Sequence, residues 1–168
     1  TVGGGNLNAA SGAISTIAGG TTNVASGVQS TIGGGSNNQA TAELSAVGGG
    51  VFNVAGGHHS VIAGGDHSST AGQFTAVLGG YNNKAQADFA TVGGGRDNTA
   101  SGVKATIAGG EYNVASGGMV SITGGGANTE RLFKYQSGIV LMRKLEEGLK
   151  PVSLKPGQEA IIRKFTSY

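Results

Sequence analysis

One apolar position returns every 15 residues along most of this chain. Val2, Ile17, Ile32, Val47, Ile62, Val77, Val92, Ile107 and Ile122 form a series that no insertion or deletion interrupts. Polar and small residues flank each of them in a fixed order. A glycine pair follows, as in Gly4-Gly5, Gly19-Gly20 and so on to Gly124-Gly125. Then come an Asn column (Asn8, Asn23, Asn38, Asn53, Asn83, Asn98, Asn113, Asn128, with Ser68 in its place once) and an Ala column (Ala10, Ala25, Ala40, Ala55, Ala85, Ala100, Ala115, with Thr70 once). A small residue, Gly12 to Gly117, closes the unit, and the consensus reads T-[VI]-G-G-G-x-x-N-x-A-S-G-x-x-S. A fixed period of this kind marks a stacked repeat in which each unit contacts only its neighbours.

The pattern inside one unit predicts two short strands and two corners. Ser15-Thr16-Ile17-Ala18 is β-branched in the middle and stops at glycines, which reads as a strand of about four residues ended by a turn. Alternation places Ser15 and Ile17 on one face and Thr16 and Ala18 on the other. Neither face is charged, so both are expected to be covered. The glycines allow positive φ or close backbone approach. Asn is expected at left-handed turn positions, and stacked copies can form an amide ladder. Ala followed by Gly suits the second strand and its corner. Coils of 15 residues stacked at the strand spacing of about 4.8 Å give a rod of roughly 40 Å for nine coils. Pentapeptide coils need an apolar residue every fifth position, which Val2, Leu7 and Gly12 do not supply, and hexapeptide helices need longer coils. A flattened roll fits best. Each coil offers one Val or Ile and one Ala to its core, a thin interior for one chain. The expected remedy is packing against other copies, most simply as a homotrimer.

From about Thr129 the period stops. Residues 131–135, 139–145 and 159–166 alternate or run apolar, which predicts a small β module over 129–168. It is expected to cap the rod, to trimerise or to dock on a larger assembly, since about forty residues rarely make an independent core. Charge divides at the same place. Lys84, Arg96 and Lys104 stand against Glu43, Asp66, Asp88, Asp97 and Glu111 in residues 1–128, whereas the tail carries eight basic and four acidic residues. A mildly acidic repeat region argues against nucleic-acid binding, and no direct membrane insertion is expected because no long apolar run is present.

Composition narrows the chemistry. The chain has 34 glycines among 168 residues, no Cys and only two prolines. Collagen requires glycine at every third position, which is not the arrangement here. The absence of Cys removes disulfides and thiolate zinc sites. There is no P-loop GxxxxGK[ST], no GxSxG elbow, no calcium-binding GGxGxD and no pair of carboxylates that stands out. No catalytic residue, cofactor or metal site is therefore expected. His58 and His59 fall in a different variable corner from His67, so convergence on one ion is not expected.

The columns resemble the head repeats of trimeric autotransporter adhesins, which also occur in bacteriophage tail fibres and spikes. The stretches STIAGGTTNVASG (15–27), STIGGGSNNQATA (30–42), ATVGGGRDNTASG (90–102) and ATIAGGEYNVASG (105–117) carry the likeness. It implies an all-β, left-handed parallel β-roll, a homotrimer, and a non-enzymatic task of attachment at a cell or host surface through a glycan or protein receptor. It places the chain outside the cell, on a bacterial surface or a virion. The alternatives are a phage tail fibre, spike or capsid decoration protein and, in another class, an ice-binding solenoid built on the ladder Thr1, Thr16, Thr31, Thr91 and Thr106. In a solenoid the variable columns face outward and carry binding. The candidate exposed positions are Phe52, His58, His59, His67, Phe74, Tyr81, Phe89, Arg96 and Tyr112. The apolar members of the second variable column (Ile14, Leu44, Phe74, Phe89, Met119) are expected to contact a neighbouring chain or to form a binding stripe.

Overall fold

Each 15-residue repeat closes one coil of a parallel β-solenoid. The computed structural model describes the backbone over residues 1–135 and 138–143 and the side chains through Thr129. One sheet stacks eight strands in sequence order, from Thr16–Ile17, Thr31–Ile32 and Ala46–Val47 to Ser121–Ile122. The other stacks Ala9–Ala10, Val24–Ala25, Gln39–Ala40 and their successors to Val114–Ala115. All pairs within the repeats are parallel and in register at 15 residues, as in Thr16↔Thr31 and Ala25↔Ala40. The rod thus has about eight turns, and no helix occurs among the described residues.

The strands are two residues long, shorter than the four suggested by β-branched content. The corners take the remainder, because a 15-residue coil must reverse direction twice. Backbone donors still find acceptors beyond the strands. Thr16 N–H donates to Ser30 O (3.0 Å), and Thr21 N–H donates to Gly35 O (2.9 Å). The core is one row of Ile and Val facing one row of Ala. Ile17, Ile32, Ile62 and Ile107 are fully buried, as are Ala25, Ala40 and Ala55. A third buried column runs Ser15, Ser30, Ser45, Ser60 and Thr75, then becomes Ala90, Ala105 and Val120. Three of its hydroxyls turn back onto their own corners: Ser30 Oγ donates to Gly27 O (2.8 Å), Ser45 Oγ to Ala42 O (2.7 Å) and Thr75 Oγ1 to Gly72 O (2.9 Å), whereas Ser15 Oγ has no partner.

The Asn column does not occupy the left-handed turn position. The residue before it does, from Leu7 (φ 55) and Thr22 (φ 56) to Tyr112 (φ 54). The Asn side chains instead lie buried in the wall of the rod and form the amide ladder. Asn38 N–H donates to Asn23 Oδ1 (2.9 Å) and Asn53 N–H to Asn38 Oδ1 (3.0 Å). From Asn8 to Asn113 each Nδ2 also donates to two glycine carbonyls, for Asn38 those of Gly34 (3.1 Å) and Gly50 (2.8 Å). The fifth coil departs from this arrangement: Ser68 Oγ accepts from Asn83 N–H at 3.3 Å, and Thr70 Oγ1 donates to Ser60 Oγ (2.8 Å).

A second corner column also has positive φ, from Ile14 (φ 60) to Met119 (φ 59). Both columns hold β-branched or bulky residues in a region that strains them. Thr22 is exposed, so nothing is gained by burial that would offset this strain. Replacing it by Asn, already present in the same column as Asn37 and Asn82, is expected to stabilise the rod by about 0.5–1 kcal/mol. Urea unfolding checks this, and an unchanged midpoint would show that the corner relaxes around Thr.

Beyond the last repeat, Thr129–Tyr135 extends the Ala-column sheet, with Val114↔Thr129 in parallel register. It then pairs antiparallel with Gly138–Arg143. The predicted strand over 159–166 lies outside the described residues.

Candidate functional site

The two corners carry almost all chemical variety in the rod. The first corner follows the glycine pair and holds Phe52, His67, Tyr81, Arg96 and Tyr112. The second precedes the Ile/Val strand and holds His58, His59, Phe74 and Phe89. All nine side chains are exposed. The structure therefore divides the sequence candidates into two stripes rather than gathering them into one site.

Along the first corner the rings lie in sequence order. Phe52 and His67 have centroids 4.9 Å apart, and His67 and Tyr81 6.0 Å apart, both pairs tilted. Polar groups interleave with them. His67 Nδ1 lies 2.6 Å from Asp66 Oδ1. Asn82 Nδ2 donates to Asp97 Oδ1 (2.6 Å), and Arg96 Nε lies 3.3 Å from Asp97 Oδ2. The Arg96 guanidinium donates to the Tyr112 hydroxyl and sits 5.1 Å from that ring's centroid. This hydrogen bond is the main cause raising the Arg96 pKa above its usual value, with nearby Glu111 and Asp97 adding to it. Arg96 is thus a fixed cation at every accessible pH. The corner offers ring edges, one cation and several carboxylates to solvent, a surface suited to polar, hydroxyl-rich or mixed-charge partners.

The second corner is more apolar. His59 stacks on Phe74 at 4.8 Å, and Phe74 on Phe89 at 5.3 Å with planes 7° apart. Lys104 Nζ lies 6.0 Å from the Phe89 centroid. Stacked rings cover each other's faces and leave their edges to solvent. Leu44 and Met119 stand in the same column, 40% and 74% exposed. His58 approaches Glu43 at 3.8 Å. Among the described residues, no three His, Asp or Glu side chains converge as a metal site.

Lys104, Asp97 and Asn82 belong to the variable columns that the period places outward, but they are not among the candidate binding positions. The period gives their place, since Lys104 stands 15 residues after Phe89, and Asp97 stands 15 after Asn82. Leu78, which is 57% exposed between the corners, is the residue that the repeat pattern does not flag. No protein-family profile matches the chain, and no curated protein is significantly similar to it.

Proposed function

We propose that this chain is a non-enzymatic fibre segment or adhesin head that attaches to a cell or host surface through its corner stripes. The observation that carries this reading is the division of labour along the rod. Interior columns repeat with little change over eight turns, while the corners vary in charge and aromaticity from coil to coil. A uniform scaffold displaying varied side chains is the economy of a repeat-based binding surface. The columns resemble those of trimeric autotransporter heads, in which a left-handed roll works as a trimer outside the cell. A phage tail fibre, spike or capsid decoration serves the same physical task and is the nearest variant of the proposal. The thin Ile/Val-on-Ala core supports assembly from several copies, and residues 129–168 would cap, trimerise or dock the rod.

Ice binding asks for a flat, unbroken face. The threonines of the ladder fall into two separate runs, Thr1, Thr16 and Thr31, and then Thr91 with Thr106, of which the second run is half-buried. Ala46, Val61 and Ala76 separate them, and Leu78 protrudes beside the gap. These features favour the fibre reading.

Light scattering on the full chain tests the assembly, and glycan arrays with immobilised matrix proteins test attachment. The expected result is a mass near three chains, with binding that falls when Tyr81, Arg96 and Tyr112 are all replaced by Ala. A folded monomer with no surface ligand but with thermal hysteresis would overturn the proposal in favour of ice binding.

A further inference from the structure

The amide ladder is interrupted once, at the fifth coil. Asn8, Asn23, Asn38 and Asn53 each donate through Nδ2 to a glycine carbonyl of the next coil, and so do Asn83, Asn98 and Asn113. Ser68 has no amide. The equivalent acceptor, Gly80 O, receives the backbone bond from Asp66 N–H (2.9 Å) but no side-chain donor among the described residues. The bond from the following coil is also longest here. Asn83 N–H reaches Ser68 Oγ at 3.3 Å, whereas its equivalents elsewhere, such as Asn38 N–H and Asn98 N–H, reach an Asn Oδ1 at 2.9 and 3.1 Å. The fifth and sixth coils stand slightly apart at this corner. A Cβ on Gly65 would lie 2.5 Å from Gly80 O, but the equivalent distance is 2.1 Å at Gly50 and at Gly80. The Ala row carries Thr70 at this level, so a second interior column departs from the repeat in the same coil.

The outside of the rod departs there too. Every ring–ring contact among the described residues includes a residue of the fifth coil. On the first corner, Phe52 and Tyr81 approach His67 from the coils on either side (4.9 and 6.0 Å). On the second, His59 and Phe89 stack on Phe74 (4.8 and 5.3 Å). Two sets of three rings, one at each corner, thus span the fourth, fifth and sixth coils. Of the Phe and Tyr side chains in residues 1–128, only Tyr112 lies outside them.

We propose that the two ring sets are straps that hold the fifth coil to its neighbours where the amide ladder lapses, and that the rod opens at this coil when a strap is released. A repeat array is held by contacts between neighbouring units, so a junction short of interior bonds opens before the rest unless something else joins it. The ring separations lie where aromatic pairs attract beyond the area they bury. The rod then consists of two runs of the ladder, Asn8 to Asn53 and Asn83 to Asn128, joined from outside by rings. The straps act within one chain, whatever the corners contact.

Hydrogen exchange on the full chain, read at single amides, tests this. The N–H groups of Ser69, Ala71 and Asn82 join the fifth coil to the sixth, donating to Asn83 O, Ala85 O and Asp66 O. Those of Thr99, Ser101 and Tyr112 make the equivalent bonds two coils further on. Phe74→Asn breaks the second strap and places at a left-handed position (φ 54) a residue that tolerates it. It is expected to speed exchange of the first three amides about tenfold or more and to leave the other three unchanged. Phe89→Asn breaks the same strap from the sixth coil and repeats the test should Phe74→Asn fail to fold. Met119→Asn, in the same column (φ 59) but beyond the straps, should change neither set. Adding Ser68→Asn to Phe74→Asn restores the amide and should return exchange to within about threefold of the parent's. A uniform rise over both sets, no rise, or an equal rise with Met119→Asn would overturn the role of the straps. A local rise that persists in the double variant would overturn their link to the interrupted ladder.

Discussion

Gly50→Ala is expected to destabilise the rod by about 3–5 kcal/mol, a large share of the total stability of an ordinary domain. Gly50 has φ 89, a conformation that L side chains rarely adopt. A Cβ there would lie 2.1 Å from Gly65 O, 2.9 Å from Gly65 N and 2.7 Å from Asn53 Nδ2. That carbonyl oxygen accepts from Val51 N–H (3.0 Å) and from Asn53 Nδ2 (2.8 Å). The methyl group would therefore force adjacent coils apart at the point where two hydrogen bonds join them. Neither partner can yield: one is backbone fixed in a parallel ladder, and the other is an amide held at both ends.

Its neighbour supplies the control. A Cβ on Gly49 would meet nothing within 4 Å, and Gly49 is not among the residues of positive φ. Gly49→Ala is expected to change stability by no more than about 0.5 kcal/mol, or to raise it slightly by restricting the unfolded chain. The two glycines look equivalent in the sequence, yet only the second is required by geometry. Urea midpoints of the two variants decide this, and similar losses at both sites would refute the close-approach argument.

The comparison also shows what the sequence could reveal. The period identified the Ile/Val row, the Ala row and the amide ladder because those columns repeat and because only stacked coils make repetition useful. It did not reveal which residue enters the left-handed region. Asn has the stronger intrinsic preference, but Leu7, Thr22 and Phe52 occupy that conformation. The corner path is common to all coils, so position overrides the preference of the residue placed there. Strand length was overestimated for the same reason: Ser15 to Ala18 has four residues of β character, but the corner claims two of them. The candidate side chains were readable as exposed, whereas their division between two stripes needed the three-dimensional course of the coil. Leu78 escaped notice because it breaks a column of small residues, and a repeat search attends to what recurs.

The amide ladder yields the second large effect. Asn38 is fully buried, and its side chain ties its own coil to the next. Its Oδ1 accepts from Asn53 N–H, and its Nδ2 donates to Gly34 O and Gly50 O. Truncation to Ala removes all three bonds and leaves the buried Asn53 N–H without its acceptor. Gly50 O keeps its bond from Ser36 N–H (2.9 Å), so the donor suffers more than the acceptor. Leaving a buried donor unmade costs about 1–3 kcal/mol, and the lost carbonyl bonds and the small cavity add to it. Asn38→Ala should therefore lower stability by about 3 kcal/mol. Asn38→Ser is the informative partner. Ser68 already occupies this column, and its Oγ accepts from the next coil's Asn83 N–H, although at 3.3 Å. A serine at position 38 keeps an acceptor for Asn53 N–H and loses the two amide donations, so about half the loss should return. If Ser and Ala prove equally damaging, the amide donations to the glycine carbonyls hold the coils together, and the acceptor for the next coil's N–H contributes little.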